Sequence, residues 1–515
     1  MEIRGFWKAA AAEPDRIALI EPSGAEIPAG QLLAAANQTV AGLRALGLRQ
    51  GDVVAMALPN CSAVFEVMLA GMQAGWHLVP INIHLTDSEM SYILRDSGAR
   101  VFVGHQDLAL RCAKAARAAE LPAEACFAAG DVPGFLPLGA LRERQPASLP
   151  EDRLAGQIMQ YTSGTTGRPK GVHREIAPFD PDVAIGLFAQ HLLRFDITPG
   201  GDHIHLCGSP MYHLAPLAYA WFSLHFEHRV VLMDHWTPQG ALEQIARHRV
   251  TTTHMVPTQF HRLLQLSPTE RGHYSTSSLR HVLHAAAPCP VEVKRRMLEW
   301  WGPVIYEYYG ASEGGGTLVK ADEWLRKPGT VGRPWAGAAV RILDDDGKDC
   351  LPESPGTVYL KLLQPFEYRG DPEKTRASRR GDFFTVGDVG YLDGDGYLFL
   401  CDRKIDMIIS GGVNIYPAEV EAVLLTHPRV GDAAVFGIPD DDWGERVKAV
   451  IEPAQGVTPG PELAQELLTF CAERLARYKC PSSVDFVEAL PRDPNGKLYK
   501  RRLRDPYWQN RERAI

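Results

Sequence analysis

Residues 158–172 read IMQYTSGTTGRPKGV. An apolar start at 158–160 has strand character, and the chain then turns into a run of small and polar residues. Gly164, Gly167 and Gly171 permit close backbone approach and positive φ. Thr162, Ser163, Thr165 and Thr166 supply hydroxyls, and Arg168 and Lys170 supply charge. Backbone N–H groups, hydroxyls and cations on a rigid strand end are what a polyphosphate needs. The loop is not of the Walker type, in which Gly-Lys is followed by Ser or Thr at a helix start; here Gly171 follows Lys170. On composition alone, a flexible surface turn is the alternative.

Outward from this loop, short β-branched runs at 53–58, 101–103, 203–206, 230–233, 281–285 and 304–308 alternate with helical patterns at 31–46, 63–74 and 240–248. That alternation predicts an α/β architecture, with largely parallel sheets covered by helices. Residues 128–152, rich in Gly, Pro and Glu, read as a linker between two such layers. After about residue 330, closely spaced Gly and Pro punctuate short strands, as in a β-rich subdomain. A strand at 397–401 then leads into a small α+β unit, with strands at 433–437 and 447–451 and a helix at 462–476. We place the boundary near Asp402, giving a large domain over 1–401 and a small one over 402–515.

With 515 residues, roughly 150 per domain suggests about three folding units. Hydrophobic residues at 45% and charged residues at 23% exclude a disordered or fibrous chain. The net charge of −8 argues against nucleic acid as the main partner. Nine scattered cysteines contain no C-x-x-C pair and read as reduced thiols of a cytoplasmic protein. No H-E-x-x-H or comparable spacing indicates a structural zinc site. The most apolar stretch, 64–83, carries Glu66, Gln73, His77 and Pro80, which makes it a buried helix-to-strand segment and not a membrane span.

Six further motifs accompany the loop: PMYHL at 210–214, AAAP at 285–288, YYGASEGG at 308–315, VGD at 386–388, DRKIDMIISGGVNIYPAEVE at 402–421 and PRDPNGKLYKR at 491–501. In type, order and spacing the set resembles the adenylate-forming superfamily of acyl-CoA synthetases, luciferases and peptide-synthetase adenylation domains, over nearly the whole chain. The resemblance implies a large adenylation domain with a small mobile C-terminal domain on a hinge, using ATP, Mg²⁺ and CoA.

It also implies roles for individual residues. Tyr309 and Ala286, Ala287 and Pro288 frame adenine; Ser312 stands where the family has Thr; Glu313 is the magnesium ligand. Asp388 holds the ribose, with Val386 replacing the usual hydroxyl residue, and Arg403 contacts ribose or phosphate. Lys497, which Asn-Gly would display at a loop tip, stabilises charge during adenylation. Ile405 stands where a polar hinge residue is usual. Gly411 and Gly412 would line a thiol channel, with Trp443, Tyr478 and Lys479 beside CoA, although Cys480 replaces a basic neighbour. His213 lies between acyl pocket and thiol channel, and Trp221, Val256, Gln259, Gly310 and Gly315 are pocket candidates.

The implied reaction is ATP-dependent, AMP-forming ligation of a carboxylic acid to CoA through an acyl-adenylate. The Gly314–Gly316 run favours a medium- or long-chain or bulky cyclic acid. An aryl acid, or a carrier protein as acceptor, remains the alternative, and a homodimer is allowed. No acid lies between Ser209 and Phe226 to hold a substrate ammonium, which makes an amino acid a poor substrate. A competing reading takes G-x-S-x-G at 310–314 as a serine-hydrolase elbow, for which His427 is the sole downstream histidine.

Overall fold

Two sheets of parallel strands are assembled from the short β-branched runs. The computed structural model describes residues 3–162, 169–200, 202–492, 496 and 498–509. They fall into two compact units: 1–255 with 266–283 and 364–377, and 256–265 with 284–363 and 378–515.

In the first unit, Leu136–Pro137, Cys126–Ala129, Ala99–His105, Val53–Met56, His77–Pro80 and Gln157–Ile158 form one wholly parallel sheet in that order. Val53 to Met56 are all buried, as a strand covered on both faces must be. The helices Ser62–Ala74, Asp87–Ser97 and Ala109–Ala118 connect these strands. A second sheet runs Thr252–Met255, Ile204–Cys207, Arg229–Leu232 and Ile17–Ile20 in parallel, with Glu26–Pro28 antiparallel at its edge. Gln160–Thr162, Lys170–His173 and Glu367–Tyr368 make a separate antiparallel ribbon.

The expected linker over 128–152 is structured instead. Leu136–Pro137 adds a strand to the sheet, and Leu138 and Leu141 are buried in the single helical turn that follows. The Leu141 carbonyl lies so close to Gly42 that no side chain fits there. Asn37 and Gln38 donate to the carbonyls of Ala147 and Gln145. Buried leucines, not Gly and Pro content, decide this segment.

In the second unit, Ile305–Ala311 and Gly314–Val319 form an antiparallel hairpin with Arg333–Pro334 beside it. An all-antiparallel sheet follows from Val340–Leu343, Gly356–Lys361, Arg379–Arg380, Phe383–Phe384, Asp388–Leu392 and Leu398–Arg403. Its last strand carries through 401/402 and ends at Arg403. Beyond it, Val413–Ile415, Ile408–Ser410, Gly444–Pro453, Val430–Asp440 and Ser483–Phe486 build another sheet. Ile408, Val420, Val435, Ile451, Leu463 and Leu467 close a core of its own with the helices Pro417–Leu424 and Pro461–Ala472. That last helix stops four residues short of the expected 476.

Candidate active site

The hairpin of the second unit displays the predicted magnesium and phosphate residues. Ala311 pairs with Gly314, so Ser312 and Glu313 are the two loop residues between the strands. Glu313 is only 5% exposed. Two residues back along the strand, the Tyr309 hydroxyl donates to Asp388 Oδ2 at 2.6 Å. Arg403 Nε lies 3.3 Å from Asp388 Oδ1, because Asp388 and Arg403 face each other across the antiparallel pair. Tyr309, Asp388 and Arg403 are therefore one bonded group. Burial, and then the Asp388 carboxylate, push the Tyr309 phenol well above its ordinary value, so it stays a donor.

Ala286 has φ +78°, a left-handed conformation that a residue with a Cβ rarely adopts. Ala286 and Pro288 are exposed and Ala287 is half-buried. Beneath this segment lies a group that sequence reading missed. The fully buried Lys294 places Nζ 2.6 Å from Glu307 Oε2 and 4.7 Å from the Trp324 ring. His284 Nε2 is 3.5 Å from the same oxygen. Glu307 is two residues before Tyr309, and His284 two before Ala286. The available signal was parity: Ile305 and Glu307 share the inward face of their strand.

In the first unit, Thr162 and Lys170 stand opposite each other as the two feet of the predicted phosphate loop. Ser163, Gly164, Thr165, Thr166 and Gly167 lie outside the described residues, as does Lys497. Gln160 Nε2 donates to the Tyr212 carbonyl at 3.0 Å, tying the strand before the loop to the segment that carries His213. Asn60, also missed, donates to the carbonyls of Ser209 and Met233 and accepts from the Met211 N–H. His213 sits at the N-terminus of the helix Leu214–His225, its ring 4.6 Å from that of Tyr212. Trp221 is buried edge-on to Trp7 and His225, a packing position.

Gln259 Oε1 accepts from the Val256 N–H at the start of the helix Pro257–Gln265. A Cβ at Gly496 would stand 2.7 Å from Thr258 Oγ1 and 3.3 Å from Val256 Cγ2. The residue before Lys497 therefore touches the predicted pocket segment. Arg492 helps hold that turn, through Asp432 and the Gly496 carbonyl at 2.7 Å. The glycine run divides. At Gly315 a side chain would meet Leu360 at 2.9 Å, and at Gly316 it would collide with Trp335, whereas nothing lies near Gly314. Gly310 is exposed, with the Gly315 carbonyl 3.0 Å from its Cβ position.

Gly411 and Gly412, with φ +56° and +80°, form the turn between Ile408–Ser410 and Val413–Ile415. Gly411 N–H donates to the Trp443 carbonyl at 2.8 Å, and a Cβ there would meet the Trp443 ring at 2.5 Å; Gly412 faces open space. Trp443 and Tyr478 are 62% and 53% exposed. Lys479 is held by Glu419 at 2.7 and 2.8 Å. At the expected hinge, Lys404 N–H donates to the Gly387 carbonyl and its ammonium reaches Asp345 at 2.7 Å. Arg504 lies 3.4 Å from the Ile405 carbonyl.

The hydrolase reading fails on geometry. A nucleophile elbow joins a strand to a helix, but Ser312 lies in a hairpin. His427 accepts from the Arg429 N–H through Nδ1 and faces Glu466 through Nε2 at 3.2 Å, so both ring nitrogens are engaged elsewhere.

Among the described residues, no group of three or more His, Cys, Asp or Glu could hold a metal ion. No described helix is long and apolar enough to cross a membrane. The family model "AMP-binding enzyme" matches residues 6–365, and that of the AMP-binding enzyme C-terminal domain matches 419–497. The chain is 33% identical over 513 residues to the long-chain-fatty-acid–CoA ligase FadD13 of Mycobacterium tuberculosis (strain ATCC 25618 / H37Rv), covering 97% of each. It is 32% identical over 495 residues to the fatty acid–[acyl-carrier-protein] ligase ScoC of Streptomyces coeruleorubidus, covering 94% of this chain and 92% of that one. The crystal structure of the anthranilate CoA ligase AuaEII with anthranoyl-AMP superimposes with a TM-score of 0.84 at 25% identity, covering 98% of this chain and 97% of that one. The chain therefore belongs to the AMP-binding enzyme family, as an AMP-forming acid–CoA ligase that uses ATP and CoA.

Proposed function

We propose that the acid is a medium- or long-chain or bulky cyclic carboxylate and that two half-reactions are served by different residues. In the first, the carboxylate attacks the α-phosphorus of ATP, giving acyl-AMP and pyrophosphate. Tyr309 with Ala286–Pro288 frames the adenine, Asp388 and Arg403 hold the ribose, and Lys170 and Lys497 offset charge on the phosphates. The buried Glu313 carboxylate is a hard oxygen ligand that suits Mg²⁺, which would arrive with ATP and neutralise phosphate charge, and Ser312, its neighbour in the hairpin loop, offers a hydroxyl for a phosphate oxygen. In the second, the C-terminal segment turns about 402–406, the Gly411–Gly412 turn faces the acyl-adenylate, and the CoA thiol displaces AMP.

The observation that carries this reading is the Tyr309–Asp388–Arg403 group, built beside a hairpin loop that holds a buried carboxylate. The acid class rests on the open position at Gly314, the exposed Gly310, and relatives whose names carry fatty and aryl acids. Pyrophosphate release over a panel of fatty, aryl and amino acids tests it. Fatty or bulky cyclic acids should lead. Preference for acetate or for an amino acid would overturn the class.

A further inference from the structure

Beside the strands that flank residues 163–168, two tyrosine hydroxyls converge on the Asp96 carboxylate, which no motif includes, and an arginine holds its backbone carbonyl. Asp96 lies in the last turn of the helix Asp87–Ser97, where the helix dipole disfavours an anion. It is nevertheless well supplied with donors. The Tyr161 hydroxyl donates to Asp96 Oδ2 at 2.6 Å. The Tyr92 hydroxyl is 3.2 Å from Asp96 Oδ1 and 3.1 Å from the Pro169 carbonyl, so its one hydrogen is shared between them. Arg369 donates from Nε to the Asp96 carbonyl at 2.6 Å and from its backbone N–H to the Gly171 carbonyl at 2.9 Å.

These contacts reach both feet of the loop. Tyr161 lies on the strand that enters it, and Pro169 and Gly171 lie on the segment that leaves it. A Cβ at Gly171 would stand 3.0 Å from the Tyr161 ring, so glycine there lets the ring lie across the second foot. Burial, and then the bond to Asp96, push the Tyr161 phenol up, so it remains a donor wherever the enzyme works.

We propose that Asp96, with Tyr92, is a positioning residue for the phosphate loop, fixing the separation of its two feet so that Thr162 and Lys170 meet the ATP phosphates already aligned. Prealigned donors avoid the ordering cost that mobile ones incur on binding. This rests on the proposed role of the 163–170 loop in binding the polyphosphate. Acyl-AMP carries no β- or γ-phosphate, so the network should matter for adenylation and not for transfer.

The test uses the full-length enzyme and Asp96→Asn, Tyr92→Phe and Lys170→Ala. It reads KM for ATP and for the acid in pyrophosphate release, thioester formation from supplied acyl-AMP, and the thermal midpoint. We expect Asp96→Asn to raise KM for ATP about tenfold, and Tyr92→Phe about threefold, as one lost hydrogen bond allows. KM for the acid and the rate of thioester formation should stay within about twofold. Tyr92→Phe keeps the ring and its packing, so the comparison survives if Asp96→Asn folds poorly. If Lys170→Ala raises KM for ATP while neither other variant does, or if both half-reactions fall in step with the thermal midpoint, Asp96 is only a structural brace and the proposal is overturned. If Lys170→Ala itself leaves KM for ATP unchanged, the polyphosphate reading falls and takes this one with it.

Discussion

The proposed nucleotide side and the proposed thiol side of the second unit are built in opposite ways. Around Tyr309, the acids are buried and cross-bonded: Glu313 and Asp388 are 5% and 9% exposed, Asp388 is bonded to Tyr309 and to the exposed Arg403, and Lys294 is sealed against Glu307 just below. Around Gly411, the equivalent residues stand in solvent. Trp443 and Tyr478 are mostly exposed, Lys479 is held by one carboxylate, and Gly412 has nothing near it. The first arrangement is preorganised for a ligand that brings its own charge, since buried dipoles held in place cost little to reorient during reaction. The second leaves an accessible surface, which suits the long, flexible thiol that we propose arrives later.

This contrast breaks most readily at the buried pair. Glu307→Gln leaves Lys294 buried without its counter-charge and should cost about 3–5 kcal/mol of stability, read by urea unfolding. Lys479→Ala, on the thiol side, removes a partly exposed pair and should cost under about 1 kcal/mol. Equal losses would erase the distinction.

Tyr309→Phe should raise KM for ATP by about tenfold or more, since a hydrogen bond to a charged group is worth about 1.5–3 kcal/mol. CoA binding should not change. A matching rise in KM for CoA would show that the two sides are not separate.

Acid should weaken the first unit through its buried histidines. Burial lowers His205, His228 and His254 to about 3 and His77 and His191 to about 4. The unfolded chain takes up protons that the folded one refuses, so stability is intact above about pH 6.5 and is lost as pH falls toward those values. Between pH 6.5 and 5 the loss should be about 1.5 kcal/mol per histidine. A flat thermal midpoint over that range would contradict this burial. The smallest effect is expected for Trp443→Ala: a few-fold rise in KM for CoA, with stability changed by about 0.5 kcal/mol or less.

Much of this was legible in the sequence, for identifiable reasons. The strands near 53, 101, 204 and 230 come from β-branched runs whose spacing is local, and the structure has them within a residue or two. Ser312 and Glu313 fall in the turn that the adjoining glycine run suggests. What escaped was non-local. Lys294 and Glu307 are thirteen residues apart, and no local pattern links them before a helix and a strand bury them together. Asp96 and Tyr161 are separated by sixty-five residues, and Asn60 by about 150 from the turn it pins. Hydrogen bonds of that range leave no periodicity. The 128–152 segment misled because Gly and Pro outweighed Leu138 and Leu141 in the reading, whereas burial of those leucines decides its structure.

On the proposed reading, adenylation and thiol transfer are carried by different residues of one chain. That reading is tested most directly by single-turnover kinetics of the two half-reactions in Lys497→Ala and Gly412→Leu. Lys497→Ala should reduce acyl-AMP formation by about a hundredfold or more and leave thioester formation from supplied acyl-AMP near wild type. Gly412→Leu should do the reverse, blocking transfer while pyrophosphate release continues. Parallel losses in both half-reactions for either variant would contradict the account.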